Sequence, residues 1–242
     1  MKAYRYYLFD IDRTLWDFDS NADAALRRII ARHPLLRAFA QEPERFIGLY
    51  ERNNHRLWDE YEAGKLSKED LRWRRFYDTL LEAGMDNQAL GRELGETYLR
   101  EMIQGTDLMP YAQEVLEKIH GQGGQIGAIT NGFQEVQYKK LERSGILHYF
   151  SSIVISEQVG YLKPHPEIFR IALERLSGIS STQDPQTWKA VKKATLMIGD
   201  DPQNDIEGAQ IFGIDQYFCK KNAASYGVGA TYEADNLRLL LD

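Results

Sequence analysis

In the second half of this 242-residue chain, short apolar runs alternate with longer helical patterns, and this alternation most constrains the fold. Together with a first run near the start, the apolar runs cover residues 4–9, 125–129, 152–155, 195–198 and 216–219. Segments with apolar residues three or four positions apart cover 111–120, 133–144, 166–176 and 205–212. Strands that alternate with helices form parallel sheets with right-handed crossovers. The pattern therefore predicts an α/β fold with a doubly wound parallel sheet.

A long helical block separates the first predicted strand from the others. Residues 19–104 are rich in Arg, Glu, Leu and aromatic residues, and no strand pattern of comparable quality interrupts them. Helical periodicity covers 21–31, 43–61 and 68–83. We therefore predict a helical domain over 17–104, inserted into an α/β core domain formed by 1–16 and 105–242.

Two further segments and a lone cysteine have less distinctive patterns. The polar stretch 177–193 lacks an apolar period and is predicted to be a surface loop with one helical turn near Trp188. Residues 234–241 are predicted to form a short helix with one apolar face. Cys219 is the single cysteine and has no partner for an internal disulfide, so we expect a small buried side chain.

The composition favours some partners over others. A net charge of −6 provides no broad basic field, which disfavours a nucleic-acid polymer but allows a small phosphorylated ligand. No apolar run approaches the roughly 20 residues needed to cross a bilayer, and no signal-peptide pattern is present. We expect a cytoplasmic protein without membrane contact, either a monomer or a small homo-oligomer.

Acidic and phosphate-binding motifs follow the predicted strands in a fixed order. They are Asp10-Ile11-Asp12-Arg13-Thr14, Thr130-Asn131-Gly132, Lys163-Pro164, and Gly199-Asp200-Asp201 followed by Asp205. Ligands of open parallel sheets bind outside the carboxyl ends of the strands, so these motifs are expected to converge. Carboxylate oxygens suit Mg²⁺, whereas a lysine and backbone amides suit phosphate. The combination predicts a site for phosphoryl transfer.

Each motif alone also has an ordinary structural interpretation. An Asp-x-Asp pair is common in turns and helix caps, and Thr130 with Asn131 can simply cap the following helix. A lysine such as Lys163 is usually solvated, and Asp205 can act as a helix cap. The catalytic interpretation depends on all four motifs occurring together in this order.

In this order, the motifs resemble those of the haloacid-dehalogenase superfamily. The resemblance covers about the first 16 residues and the chain after about residue 105, and it implies a Rossmann-like core with an inserted helical cap. It also implies that Asp10 is the nucleophile. Asp12 is implied to be the general acid/base, with a backbone carbonyl that also contacts Mg²⁺.

The same resemblance implies how phosphate and metal are bound. Thr130 and Lys163 are implied to bind phosphate, and the amide of Asn131 belongs to the same predicted anion site. The implied metal site consists of Asp10, Asp12, Asp200 and Asp205, with Mg²⁺ as the cofactor.

Part of the helical insertion resembles the pyrimidine 5′-nucleotidase branch of this superfamily. The resemblance is carried by Tyr-Glu-Ala-Gly-Lys-Leu at 61–66, Arg-Arg-Phe at 74–76, and Thr-Leu-Trp-Asp-Phe-Asp at 14–19. Aromatic residues that can stack on a base or pack between helices are Trp16, Phe18, Trp58 and Tyr61. The amides of Asn53 and Asn54 are candidates for contact with a polar base. We expect the insertion to select the leaving group.

These inferences predict a Mg²⁺-dependent phosphomonoesterase that forms an aspartyl-phosphate, most specifically a nucleoside 5′-monophosphatase. The expected partner is a small phosphate ester such as a nucleoside monophosphate. Alternatives with the same fold are a sugar-phosphate phosphatase, a phosphomutase and a 2-haloacid dehalogenase. A dehalogenase would need neither a metal nor an acid at Asp12. A further alternative is a non-catalytic domain that binds a phosphometabolite.

Overall fold

The structure, a computed structural model, describes residues 1–220 and 229–242 and divides into two compact units. One unit, the core unit, consists of Met1–Phe18 and Thr106–Asp242. The other, the helical unit, consists of Asp19–Gly105. No helix in the described ranges is both long and apolar enough to cross a membrane.

The described part of the core unit contains a six-stranded sheet in which all neighbouring strands run parallel. The strands are β1 (Tyr6–Phe9), β2 (Gln125–Thr130), β3 (Phe150–Ile155), β4 (Thr195–Gly199), β5 (Asp215–Cys219) and β6 (Tyr232–Ala234). Their order is β3-β2-β1-β4-β5-β6. The prediction of a doubly wound parallel sheet is confirmed. Since β1 lies between β2 and β4, residues that follow it are at the centre of the sheet.

Helices dominate the helical unit. They are α1 (Phe18–Arg32), α2 (Pro43–Glu62), α3 (Lys68–Glu82) and α4 (Gln88–Met102), with a 3-10 turn at Pro34–Phe39. The rings of Tyr50, Phe76 and Tyr98 pack with centroids 4.7 to 5.4 Å apart. The Arg75 guanidinium lies 4.9 Å from the Tyr98 ring centroid. Aromatic burial therefore contributes to the interior of this unit.

The core unit contains further helices around the sheet. They are α5 (Ala112–Gly121), α6 (Gln134–Arg143), α7 (Ser156–Val159), α8 (Pro166–Ser177), α9 (Pro185–Lys193) and α10 (Gly208–Phe212), with a π-helical turn at Pro202–Glu207 and 3-10 turns at Leu147–Tyr149 and Leu237–Leu241. Phe169 and Leu173 of α8 are buried in one apolar cluster with Ile129 and Met197. Each such side chain stabilises the fold by about 1.5–3 kcal/mol through burial.

Two predictions for this unit are wrong in part. Residues 177–193 contain a full helix, α9, where only one turn near Trp188 was expected. Asp184 caps it by accepting hydrogen bonds from Gln186 N and Thr187 N, and Pro185 occupies the first turn. The segment 234–241 contains the end of β6 and a 3-10 turn instead of an α-helix. Cys219 is buried at the end of β5, as expected.

Candidate active site

Three carboxylates meet beyond the carboxyl ends of β1 and β4. Asp10 follows β1 directly, and its N–H donates to the Ile198 carbonyl at 2.9 Å. Asp200 follows β4, and Asp205 lies in the π-helical turn after it. One carboxylate oxygen from each of Asp10, Asp200 and Asp205 lies within 4.8 Å of the others. We call these three residues the acidic cluster.

Lys163 joins two members of the acidic cluster. Its Nζ lies 2.6 Å from Asp10 Oδ1 and 2.6 Å from Asp205 Oδ1, and the residue is only 3% exposed. Burial raises the pKa of Asp10 well above its usual range, although the Lys163 ammonium opposes this shift. Burial also raises the pKa of Asp205, to about 6. For Lys163, burial lowers the pKa, but Asp10 and Asp205 outweigh burial and the net shift is upward.

The charges of this group do not balance. The acidic cluster contains three carboxylates, and the Lys163 ammonium contacts two of them, Asp10 and Asp205, which are both buried. Buried charges are costly unless they are paired, and the raised pKa values of Asp10 and Asp205 reflect that cost. The site can therefore accept additional positive charge.

The second motif supports the position of Lys163. Asn131 Nδ2 donates to the Lys163 carbonyl at 3.0 Å, and Lys163 N donates to Asn131 Oδ1 at 2.8 Å. This reciprocal pair holds the lysine loop against the end of β2. Thr130 Oγ accepts the Gly132 N–H at 3.0 Å, and a hydroxyl that accepts a bond still carries a hydrogen to donate. Thr130, Asn131 and Lys163 are therefore brought to one edge of the sheet.

Asp12 has different partners from Asp10. Its Oδ1 lies 2.6 Å from Lys140 Nζ, and its Oδ2 accepts a hydrogen bond from Gln137 Nε2 at 2.9 Å. Both partners come from α6. The two carboxylates of the first motif are thus held by separate groups.

Sequence reasoning missed Gln137 and Lys140. Both are buried on α6, which also buries the apolar residues Val136 and Leu141. The signal that pointed to them is a pair of polar residues, three positions apart, on a buried helical face. Their partner lies 125 or more positions earlier in the chain, so helical periodicity alone did not reveal it.

The fourth motif forms a turn that is stabilised by its own side chains. Asp201 Oδ1 accepts hydrogen bonds from Gln203 N at 2.9 Å and Asn204 N at 2.8 Å. Asp205 Oδ2 accepts the Asp201 N–H at 3.1 Å. Asp201 therefore caps the turn, whereas Asp205 contacts Lys163. Thr14 Oγ lies 3.4 Å from Asp200 Oδ1 and links the first and fourth motifs.

Two candidates for base contact lie in the interior of their units. Trp16 is fully buried and packs edge-on against Phe18 at 6.3 Å, which fits the packing interpretation. Asn53 is also buried, and its Nδ2 bonds to Leu49 O at 3.2 Å and Glu82 Oε1 at 3.0 Å. Trp58 and Tyr61 are half-buried and pack edge-on against each other at 5.6 Å.

Comparison with known proteins identifies related sequences and a related structure. A family model described as haloacid dehalogenase-like hydrolase matches residues 4–213. Pyrimidine 5′-nucleotidase PynA of Streptococcus pneumoniae is 29% identical over 99% of this chain and 94% of its own length. Pyrimidine 5′-nucleotidase YjjG of Escherichia coli is 33% identical over 84% of this chain and 80% of its own.

Among solved structures, the Bacillus subtilis protein YfnB bound to magnesium superposes with a TM-score of 0.82. The match has 29% sequence identity and covers 99% of this chain and 97% of that one. The sequence match, the parallel sheet and the convergence of motifs at its carboxyl edge agree. The chain belongs to the haloacid dehalogenase-like hydrolase family.

Proposed function

We propose that this protein is a Mg²⁺-dependent phosphomonoesterase that forms an aspartyl-phosphate at Asp10. The observation that carries the proposal is the separation of the two first-motif carboxylates. Asp10 belongs to the acidic cluster with Lys163, whereas Asp12 is held by α6. Two carboxylates in different surroundings are suited to two different roles in one reaction.

The donor set of the acidic cluster fits a hard cation. Each of its three residues offers a carboxylate oxygen, and Mg²⁺ prefers oxygen ligands. We assign Asp10, Asp200 and Asp205, with the backbone carbonyl of Asp12, to the metal site. Asp205 also contacts Lys163 and orients it. When bound, Mg²⁺ supplies positive charge that offsets the repulsion between a carboxylate and a phosphate dianion.

In the first half of the reaction, an Asp10 carboxylate oxygen attacks phosphorus. The phosphorus–oxygen bond to the leaving group breaks, and Asp12 gives that oxygen its proton, so the alcohol departs neutral. Lys163, with the hydroxyl of Thr130, holds the phosphoryl oxygens as charge develops on them.

In the second half, water attacks the phosphorus of the Asp10 phosphoryl group. Asp12, now a carboxylate, accepts the proton of that water. The bond between phosphorus and the Asp10 oxygen breaks, which releases inorganic phosphate and restores the Asp10 carboxylate. The proton that Asp12 takes from the water replaces the one that it gave to the leaving group.

We further propose pyrimidine nucleoside 5′-monophosphates, deoxy forms included, as the substrate class. PynA and YjjG are named as pyrimidine 5′-nucleotidases, and they align with 99% and 84% of this chain. Those alignments extend across residues of the helical unit, where the sequence resemblance at 61–66 and 74–76 occurs. A core unit that binds only phosphate and metal does not distinguish leaving groups. We therefore assign selection of the leaving group to residues of the helical unit.

A panel of phosphate esters tests this proposal directly. Release of inorganic phosphate is measured for pyrimidine and purine nucleoside monophosphates, hexose phosphates and triose phosphates, with Mg²⁺ and with EDTA. We expect the highest kcat/KM for the pyrimidine substrates and suppression by EDTA. A clear preference for a sugar phosphate would contradict the nucleotidase assignment, and isomer formation without phosphate release would indicate a mutase. Full activity in metal-free buffer would overturn the Mg²⁺ requirement, and no release from any ester would overturn the phosphomonoesterase itself.

A further inference from the structure

Two side chains of α6 hold both carboxylate oxygens of Asp12. Lys140 Nζ lies 2.6 Å from Oδ1, and Gln137 Nε2 donates to Oδ2 at 2.9 Å. Gln137 is fully buried and Lys140 is 2% exposed. We call Gln137 and Lys140 the α6 clamp. Because both oxygens of Asp12 are engaged at once, the clamp fixes the orientation of its carboxylate.

The surroundings of Lys140 show how a buried ammonium is accommodated there. The rings of Trp16 and Phe18 have their centroids 4.5 and 5.5 Å from Nζ. Aromatic faces attract a cation, but a buried lysine still needs an anionic partner. Asp12 is that partner, with an oxygen 2.6 Å away. Lys140 and Asp12 thus form a pair whose charges compensate each other.

The side chain of Gln137 bonds to Asp12 through its nitrogen, whereas its oxygen has no partner among the described residues. That oxygen, Oε1, is buried. Leaving a buried acceptor unpaired is destabilising, so stability alone does not explain this placement. The amide group is oriented so that its donor nitrogen contacts Asp12, which indicates a functional reason for keeping it.

Gly132 of the second motif leaves room for this contact. A Cβ at position 132 would lie 1.7 Å from Gln137 Nε2, closer than any real contact. Gly132 is not among the residues with positive φ, so backbone freedom does not account for the glycine. Its lack of a side chain allows Gln137 to reach Asp12. The second motif therefore connects to Asp12 as well as to Lys163.

We infer that Gln137 and Lys140 are positioning residues that hold Asp12 as an oriented carboxylate for its proton transfer with water. The inference rests on the proposed function, in which Asp12 accepts that proton in the second half of the reaction. Both Asp12 oxygens accept hydrogen bonds from the clamp, which is the arrangement of a carboxylate base. Without the clamp, the side chain is free to rotate away from the attacking water. The main consequence is slow hydrolysis of the Asp10 phosphoryl group.

Pre-steady-state kinetics with p-nitrophenyl phosphate separates the two halves of the reaction. Since p-nitrophenolate departs without a proton, the first half does not need Asp12 as an acid. For Lys140→Met we expect a burst of about one nitrophenolate per enzyme, followed by slow turnover as phosphoenzyme accumulates. The burst rate and kcat/KM, which report the first half of the reaction, should change less than about 3-fold, whereas kcat should fall about 10- to 100-fold and KM should fall with it.

Matched variants make this test specific. Lys139→Met removes the neighbouring lysine of α6, which is exposed, and should behave like the wild type. Lys140→Arg keeps the charge and should restore part of the steady-state rate. Gln137→Met should show the same separation of burst and turnover as Lys140→Met, with a smaller fall. If Lys140→Met fails to fold in a thermal denaturation assay, Gln137→Met decides the question.

The results that would overturn the inference differ from those that would overturn the proposed function. An unchanged steady-state rate, an equal fall in burst and turnover, or a rise in KM with constant kcat in a folded clamp variant would each refute a positioning role. The last result would assign Lys140 to substrate binding. A wild-type protein that releases no phosphate from any monoester would instead refute the phosphomonoesterase.

Discussion

The site contains two buried lysines, and each contacts the carboxylates of the first motif in a different way. Lys163 bridges Asp10 and Asp205 in a group with three carboxylates. Lys140 contacts Asp12, whose other oxygen is bonded to a neutral amide. The first group therefore has an excess of negative charge, whereas the second is balanced within itself.

The difference in charge indicates which part of the site binds a ligand. Burial, with a smaller contribution from the neighbouring carboxylates, raises the pKa of Asp10 and Asp205, and a bound cation would offset both effects. The charges of Lys140 and Asp12 already compensate each other, so the role of Lys140 is to orient the Asp12 carboxylate. We therefore assign attack on phosphorus and metal binding to the Lys163 group, and the orientation of a proton carrier to the Lys140 group.

The largest expected effect concerns Asp10, the nucleophile that we assign to the Lys163 group. Asp10→Asn preserves the shape of the side chain but removes the attacking oxygen, so turnover should fall by on the order of 10⁴-fold or more. Phosphate release from the best substrate and thermal denaturation measure activity and folding side by side. Asp235→Asn removes an exposed carboxylate elsewhere in the core unit and serves as the control. Near-normal turnover in folded Asp10→Asn would refute covalent catalysis.

A second expectation concerns the cation that the acidic cluster requires. Asp200→Ala removes one carboxylate, so the Mg²⁺ concentration that gives half-maximal activity should rise by about 10- to 100-fold. Excess Ca²⁺ should inhibit the wild type, because it prefers a larger and looser coordination shell. Titration of activity with Mg²⁺ measures both effects. A Mg²⁺ dependence unchanged by Asp200→Ala would remove that residue from the metal site.

How much of this site is predictable from sequence depends on how local its contacts are. Asp10, Thr130, Lys163 and Asp200 were identified because each follows a strand or belongs to a short motif. Their convergence follows from the geometry of a parallel sheet. The reciprocal bonds between Asn131 and the backbone of Lys163 depend on how two loops pack, which sequence does not express.

The errors in the fold have similar physical causes. Apolar residues are few in α9, but Trp188 and Val191 lie three positions apart and both pack in the core cluster. With the cap at Asp184 and the following Pro185, that spacing is the signal of a full helix. The strand β6 has only three residues, and its pairing with β5 outweighs the helical spacing that follows. Local propensity is a weak guide where tertiary contacts decide the conformation.

The burial of Asp205 should also be visible in the pH dependence of the stability of the metal-free protein. The pKa of Asp205 is raised from 3.8 to about 6, so the folded state binds more protons than the unfolded state between these values. The stability contributed by this group is complete below about pH 4 and is lost as the pH rises through 6. In EDTA, raising the pH from 4.5 to 7 should lower the Tm of the wild type relative to that of Asp205→Asn by roughly 5 °C.

This expectation is measured as a difference between two proteins. Thermal denaturation of wild type and Asp205→Asn across the pH range cancels the titration of groups that both share. Addition of Mg²⁺ should stabilise the wild type more at pH 7 than at pH 4.5, since ionised carboxylates bind the cation. Parallel curves for the two proteins would show that Asp205 titrates normally.

The smallest expected effect concerns Gly132, which leaves room for Gln137 to contact Asp12. Gly132→Ala should displace the flexible end of Gln137 and leave the fold intact, because a side-chain end moves more easily than backbone. We expect kcat to fall about 3- to 10-fold with little change in Tm. The double variant Gly132→Ala with Gln137→Met should be no worse than Gln137→Met alone. Additive losses would show that Gly132 acts independently of Gln137.

In the proposed reaction, Asp10 carries the phosphoryl group while Asp12 assists its removal. The most direct measurement traps that state by mixing Asp12→Ala with p-nitrophenyl phosphate and Mg²⁺, quenching in acid and mapping the digest by mass spectrometry. We predict a phosphoryl group on Asp10 of the peptide that contains it, and none when Asp10→Asn is added to the same protein. Release of nitrophenolate without a phosphorylated Asp10, or with the phosphoryl group on another residue, would contradict the account.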